Sequence, residues 1–318
     1  MPRYLDPKND LTFKRIFGEH PDLLKSFLNA LMPLEEHQRI ESLEYLPAEQ
    51  VPDNPAKKNS IVDVRCRDNT GRQFIVEMQM LWNSAFSNRM VFNTSKAYVR
   101  QLDKNEHFHL LQPVYALAIL DDIFDHKTEA FYHHYRIVNF HNSDEVIEGL
   151  EFVLVELPKF RAETWTDRRM AALWLRFLKE VDEGWNVVPD DLKSNAEISR
   201  ALDLCEPGAY TDAELYAYDK YWDAIRVENT LIAEGEIQGR TKGRAEGRAE
   251  GRAEGMAEGR AEGRAEGEAK SLVNIVTNCR RNGFSIEQIQ AITGLAEEDI
   301  REIFRSHPGK DEQSGYTN

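Results

Sequence analysis

The sequence predicts an α/β protein, a central sheet flanked by helices, followed by a helical C-terminal region. Three observations predict it. Apolar and polar residues alternate through IVDVRCRDNTGRQFIVEMQM (61–80), on both sides of the turn signal Asp68-Asn69-Thr70-Gly71. PVYALAILDDIF (113–124) is a continuous apolar run, as expected of a buried strand. Apolar stripes of helical period precede these runs and dominate after residue 160.

Each further element follows from local pattern. Leu11, Ile16, Phe17, Leu24, Phe27, Leu28 and Leu31 form a helical stripe interrupted between Gly18 and Pro21, giving two short helices or one bent helix ending at Pro33. IESLEYLP (40–47) reads as a strand, followed by a Pro- and Asn-rich loop to Lys58. Residues 84–104 read as a helix capped by Asn83 or Ser84. Strands are expected at 129–140 and 150–158, then helices at 167–182, 191–205 and 211–234, with Asp167 and Thr211 as caps. Phe131, Tyr132, Tyr135 and Phe140 read as core. Trp165, Trp174, Trp185, Leu173 and Phe177 read as packing of a helical region.

Composition excludes several function classes. No stretch approaches the ~20 uncharged apolar residues of a membrane helix. MPRYLDPKND lacks the apolar centre of a signal peptide. Cys66, Cys205 and Cys279 are scattered and make neither a disulfide framework nor a zinc site, so a cytoplasmic location is expected. There is no G-x-G-x-x-G, Walker loop or G-x-S-x-G, hence no expected nucleotide cofactor or serine hydrolase. His107, His109, His133 and His134 lack a third metal ligand at a usable spacing. The net charge of −15 opposes non-specific wrapping of nucleic acid. Residues 81–104 are nonetheless locally basic, with Arg89, Lys96, Arg100 and Lys104 against Asp103 alone.

From Gly239 to Gly267, eight glycines recur every four residues with Arg and Glu between them. Eight glycines cost a helix roughly 8 kcal/mol against alanine, and like charges fall at i,i+4. Either a solvated spacer or a self-association helix fits. In the second case a Gly/Ala stripe, winding right-handedly by about 40° per repeat, admits a close neighbour. The tail from Ala269 reads as three short helices, with Gly283 ending the first, Ser285 and Gln288 forming a capping box, and Gly294 ending the second. Its last helix opens Ala-Glu-Glu-Asp, the wrong charge for a DNA reader, so a packing module is expected.

The hairpin holds the chemistry. If Asn69-Thr70-Gly71 is a three-residue loop, Asp68 pairs with Arg72 and Asp63 falls opposite Glu77, with Gln79 on the same face. Val62, Val64, Phe74, Val76 and Met78 then line the other face. Two- or four-residue loops would separate the two acids, and the glycine closing the turn favours the first register. Neighbouring carboxylates repel unless a divalent cation lies between them, and magnesium suits two carboxylates plus water and phosphate oxygens. A solvated sheet face neutralised by Arg65 fits the same pattern. Arg89, Asn93, Lys96, Arg100 and Lys104 form one polar stripe on the next helix, fit for a DNA backbone or simply for solvent. Met90, Val91, Ala97 and Leu102 are expected to pack on the sheet.

DPKNDLTFKRIFG, VDVRCRDNTGRQFIVEMQM, the Arg89-to-Tyr98 pattern, the glycine repeats and SIEQIQAITGLAEEDI together resemble the Rpn family of recombination-promoting nucleases and putative transposases, within the PD-(D/E)XK nucleases. The resemblance implies an αβββαβ core with about four central strands and a DNA endonuclease using Mg2+ or Mn2+. It makes Asp63 and Glu77 metal ligands and places Gln79 where most such enzymes have lysine. Lys14 is a candidate for the missing charge. Asp10 is a candidate outer metal ligand, or a helix cap. Arg89, Lys96 and Arg100 are candidate DNA contacts. The expected organisation is a nuclease core over 1–160, a helical region over 161–234, the repeat over 235–270, a helical tail over 271–307 and disorder over 308–318. The expected partners are DNA and further copies of the chain, with no membrane. The competing expectation is a catalytically degenerate nuclease fold acting as a DNA- or protein-binding oligomeric module.

Overall fold

The computed structural model of the protein describes residues 4–50, 60–162, 169–185 and 188–307, in two units, Met1–Asn229 and Thr230–Asn318. Expectations for the loop up to Lys58, for Trp165 and Asp167, and for 308–318 fall outside those residues. No described helix is long and apolar enough to cross a membrane.

Two short helices open the first unit. In α1 (Asp10–Gly18) the Asn9 side chain accepts from Leu11 N at 3.0 Å, so the cap is Asn9, and Asp10 lies in the first turn. α2 (Pro21–Leu31) begins with proline, whose missing N–H is harmless at that position. Strands β1 (Leu43–Tyr45), β2 (Glu49–Gln50), β3 (Ser60–Ile61), β4 (Val64–Asp68) and β5 (Gln73–Gln79) follow, then α3 (Ser84–Val99) and β6 (Val114–Leu120). β7 (Tyr132–Asn139) and β8 (Asn142–Glu156) complete a six-stranded mixed sheet of order β1-β4-β5-β6-β8-β7, while β2 and β3 pair separately. The β5-β6-β8 centre is parallel and the flanks are antiparallel.

Helices cover both faces. Phe74, Val76, Tyr115, Leu117, Ile119, Val153 and Val155 point into the main core, with α1, α2 and α4 (Arg169–Glu180). Trp174 anchors that core, its ring 5.4 Å from Phe17 and its indole N–H donating to Ser26 Oγ at 3.1 Å. On the other face, Phe86 and Met90 of α3 pack on Ala116, Ala118, Leu120 and Leu154, and Ala97 packs on Ile75 and Val114. Val91, expected on the sheet, is exposed.

The β7–β8 hairpin is longer than expected. β6 pairs with β8 only from Leu150 onward, and earlier residues meet β7 alone. Phe140, at the hairpin tip, is therefore 94% exposed, and Tyr135 is exposed on the edge strand β7, which corrects their assignment to the core. The helix expected at 191–205 is two, α5 (Asp190–Lys193) and α6 (Ala196–Asp203). The Asn195 side chain accepts from Ile198 N and starts a new helix there.

α7 (Asp212–Arg281) does not stop at 234. It runs as one helix through the glycine repeat, where no proline or β-branched residue occurs from Lys242 to Leu272. In the second unit its last turns pack through Val276 on Ile289 of α8 (Ile286–Thr293) and Ile300 of α9 (Glu297–Ser306). The Ser285–Gln288 capping box opens α8, and Gly294, at φ 71°, ends it.

The first turns of α7 belong to the first unit. There Tyr218 Oη accepts from the buried Asp6 N at 2.9 Å. Lys8 Nζ lies 3.0 Å from Asp121 and 3.7 Å from Asp6. Although buried, Lys8 is held above its ordinary pKa by the two carboxylates. Burial pushes the Asp6 carboxyl up to about 6, against the opposing pull of Lys8. A carboxyl raised on folding takes up a proton between about pH 4 and pH 6, so its contribution to stability falls as pH rises through that window. Asp6→Asn keeps an acceptor for Lys8 N. Its stability relative to wild type is expected to rise from pH 4 to pH 7, by up to about 3 kcal/mol, as read from urea unfolding across that range.

Candidate active site

The β4–β5 turn sets the register. Gly71 has φ 93°, Asp68 N donates to Arg72 O at 3.0 Å, and the Asp68 carboxylate receives Thr70 N and Arg72 N. The ladder then runs from Arg67↔Gln73 to Val64↔Val76, the register of a three-residue loop. Hydrogen-bonded pairs alternate along an antiparallel ladder, so after 68/72, 66/74 and 64/76 the next would be 62/78.

That pair does not form. The chain bends at Asp63, one residue before β4, and Asp63 Oδ2 itself accepts from Met78 N at 2.7 Å. Val62 leaves the Val64 face and packs with Ile75, Ala97 and Val114 under α3, correcting its expected place. Asp63 is thus no ladder partner of Glu77. Its side chain, 22% exposed, replaces backbone at the strand end and faces Lys14, whose Nζ lies 3.9 Å from Asp63 Oδ1 and 2.7 Å from Asp10 Oδ1.

Glu77 points to the α3 side. Its side chain is only 7% exposed. Oε1 accepts from Asn93 Nδ2 at 3.1 Å, and Oε2 lies 3.5 Å from the Arg89 guanidinium. Asn93, read from sequence as part of a solvent-facing stripe, is fully buried. Gln79 donates through Nε2 to Leu81 O at 2.6 Å and accepts through Oε1 from Arg89 at 2.7 Å. The strand ends are also tied to β6, because Asp121 N donates to Gln79 O at 2.9 Å.

Arg89 therefore takes the neutralising place considered for Arg65, whose Nη2 donates to Gln73 instead. Farther along α3, Lys96 Nζ donates to Gln50 O, and Arg100 lies near enough to Arg65 to help burial lower that guanidinium's pKa. Lys96 is thus engaged at β2, and Arg100 faces Arg65 of β4. The histidines make no joint site either: His133 pairs with Glu156 at 2.9 Å, His134 with Glu151 at 2.7 Å, and His107 stacks on His109.

The two acids carry more negative charge than their surroundings offset. Burial pushes Asp63 up to about 7, the Met78 N–H opposes this, Glu77 adds to it, and Lys14 opposes it more weakly than Glu77 raises it. Burial likewise raises Glu77, against Arg89 and Asn93. Hard carboxylate oxygens with uncompensated charge suit Mg2+ or Mn2+. Among the described residues no three His, Cys, Asp or Glu side chains are gathered to enclose a metal, and Asp10 is engaged by Lys14. Two carboxylates completed by water and phosphate oxygens match magnesium's habits better than a protein cage.

A mixed six-stranded sheet flanked by helices fits a core of the PD-(D/E)XK nuclease type. A family model described as PD-(D/E)XK nuclease family transposase matches residues 7–235, and the chain belongs to that family. No curated protein and no solved structure matches it.

Asp63→Asn retains an acceptor for Met78 N while removing a poorly compensated charge. In EDTA at pH 8 the variant is expected to melt roughly 5 °C above wild type, as functional acids are commonly held at a stability cost. Differential scanning calorimetry measures it, and a lower melting temperature would contradict the electrostatic account.

Proposed function

We propose that the protein is a DNA endonuclease dependent on Mg2+ or Mn2+, and that its breaks promote recombination or the movement of mobile DNA. The observation that carries this reading is the placement of Asp63 at the entry to β4 and Glu77 near the end of β5, close enough for the Glu77 charge to act on Asp63, with Arg89 joining Glu77 to the Gln79 amide. When bound, a divalent cation polarises the phosphate and lowers the pKa of water.

The chain's own residues do the rest. Asp63 and Glu77 would hold the ion, and Asn93 fixes the Glu77 rotamer through a buried hydrogen bond. The Gln79 carbonyl oxygen, anchored through its Nε2 on Leu81 O, accepts a hydrogen bond from the attacking water and aims it in line. Lys14, beside Asp63, donates to a non-bridging phosphate oxygen and offsets charge as the bond breaks. Lys96 of α3 and Arg100, which follows its last residue, would contact the flanking backbone and make binding sensitive to salt.

Supercoiled plasmid tests the reaction. Wild type is expected to nick it with Mg2+ or Mn2+ and to stop in EDTA, while Asp63→Ala and Glu77→Ala lose about 100-fold or more. Cleavage that survives in both variants would sink the proposal.

The repeat serves self-association. Val227, Leu231, Gly235, Gly239 and each glycine to Gly267, then Ser271 and Ile275, share one four-residue row on α7. The repeat glycines leave open space around their Cα atoms, so a neighbouring helix can approach closely, its Arg row against a Glu row. Deleting 239–267 removes close to eight helical turns and keeps the phase of the flanking helix. The variant is expected to fall to a smaller mass by light scattering, and an unchanged mass would refute self-association through this segment.

A further inference from the structure

Arg89 ties together two groups that the proposed reaction needs free, the Glu77 carboxylate and the Gln79 carbonyl. One nitrogen, Nη2, lies 2.7 Å from Gln79 Oε1 and 3.5 Å from Glu77 Oε2. The guanidinium carbon lies 5.0 Å from the centre of the Phe86 ring, which is itself buried against Trp82. Asn93 reaches the same carboxylate from a fully buried position, whereas the Arg89 side chain is 47% exposed. One partner of Glu77 is thus fixed and the other has room to leave.

We infer that Arg89 is a latch that competes with the divalent cation for Glu77 and, once displaced, turns its guanidinium onto the DNA phosphate. The inference rests on the metal-site reading above. Its physical basis is that one carboxylate oxygen cannot give its full charge to two cations a few ångströms apart. While Arg89 holds Gln79 Oε1, both ends of that amide are taken, one by Leu81 O and the other by Arg89. Loss of the Arg89 contact frees the Glu77 oxygen and the Gln79 carbonyl together, so binding of the ion and readiness to orient water become one event. A planar guanidinium leaving this place keeps its fork for the two oxygens of a phosphate, a geometry a lysine cannot offer.

The experiment is calorimetric titration of the full chain with Mn2+, for wild type, Arg89→Ala, Arg89→Gln and Glu77→Gln, with plasmid nicking measured beside it. Removing a half-exposed competing cation is expected to tighten Mn2+ binding about fivefold, in both Arg89 variants. Cleavage should fall at least tenfold in the same proteins, because the phosphate loses its guanidinium. Tighter binding with slower cutting is a split that a merely structural role does not produce. Unchanged or weaker Mn2+ binding in a folded Arg89→Gln protein would overturn the latch while leaving the metal site standing. If wild type binds Mn2+ no better than Glu77→Gln, the metal-site reading itself falls, and the latch with it.

Discussion

The hydrogen bond from Met78 N to the Asp63 carboxylate is the constraint from which the site follows. A backbone N–H at the end of a buried strand needs an acceptor, and the regular ladder would have supplied Val62 O. By giving that place to a side chain, the fold turns the chain out of the sheet before β4. The turn sends Val62 under α3 and leaves a carboxylate in the plane of the sheet. Asp63 is thereby accessible to Lys14 of α1 from one side and feels the charge of Glu77 from the other. A regular strand would have committed residue 63 to one face only.

Two buried acids so placed oppose folding, and the surroundings relieve this only in part. The fixed groups are weak donors, the Asn93 amide and the Met78 N–H. The cations, Lys14 and Arg89, sit at the more exposed rim, each shared with another acceptor. Neutral donors inside, with the full charges at the half-exposed rim, orient the carboxylates without fully offsetting their charge.

Much of this was legible in the sequence where local chemistry decides the outcome. Gly71 permits the left-handed turn, so the three-residue loop and the Asp68–Arg72 closure could be read directly. The seven residues of β6 are all buried, as an uninterrupted apolar run requires. Illegible were features set by distant partners. Nothing near residue 63 announces that Met78 will want its carboxylate. Asn93 looks solvent-facing until α3 lies over Glu77. Phe140 looks like core until β6 proves too short to accompany the hairpin, and Tyr135 until β7 proves to be the edge of the sheet. The repeat reads as either spacer or helix because glycine and alanine pull oppositely, and its Arg and Glu side chains tip it to helix.

The glutamine at the place of the usual lysine also has a physical reason. A lysine at 79 would bring an ammonium within reach of the Arg89 guanidinium, and like charges at a half-buried rim repel. It could not accept the hydrogen bond that Arg89 donates to Gln79 Oε1, and it would offer only donors at both ends of the contact. Glutamine does two opposite things, donating to Leu81 O and accepting from Arg89, so it is held in one orientation from both sides. The cation that meets residue 79 comes from α3, on a half-exposed arm. Residue 79 and residue 89 are therefore one unit, and the departure from lysine at the first is intelligible only with arginine at the second.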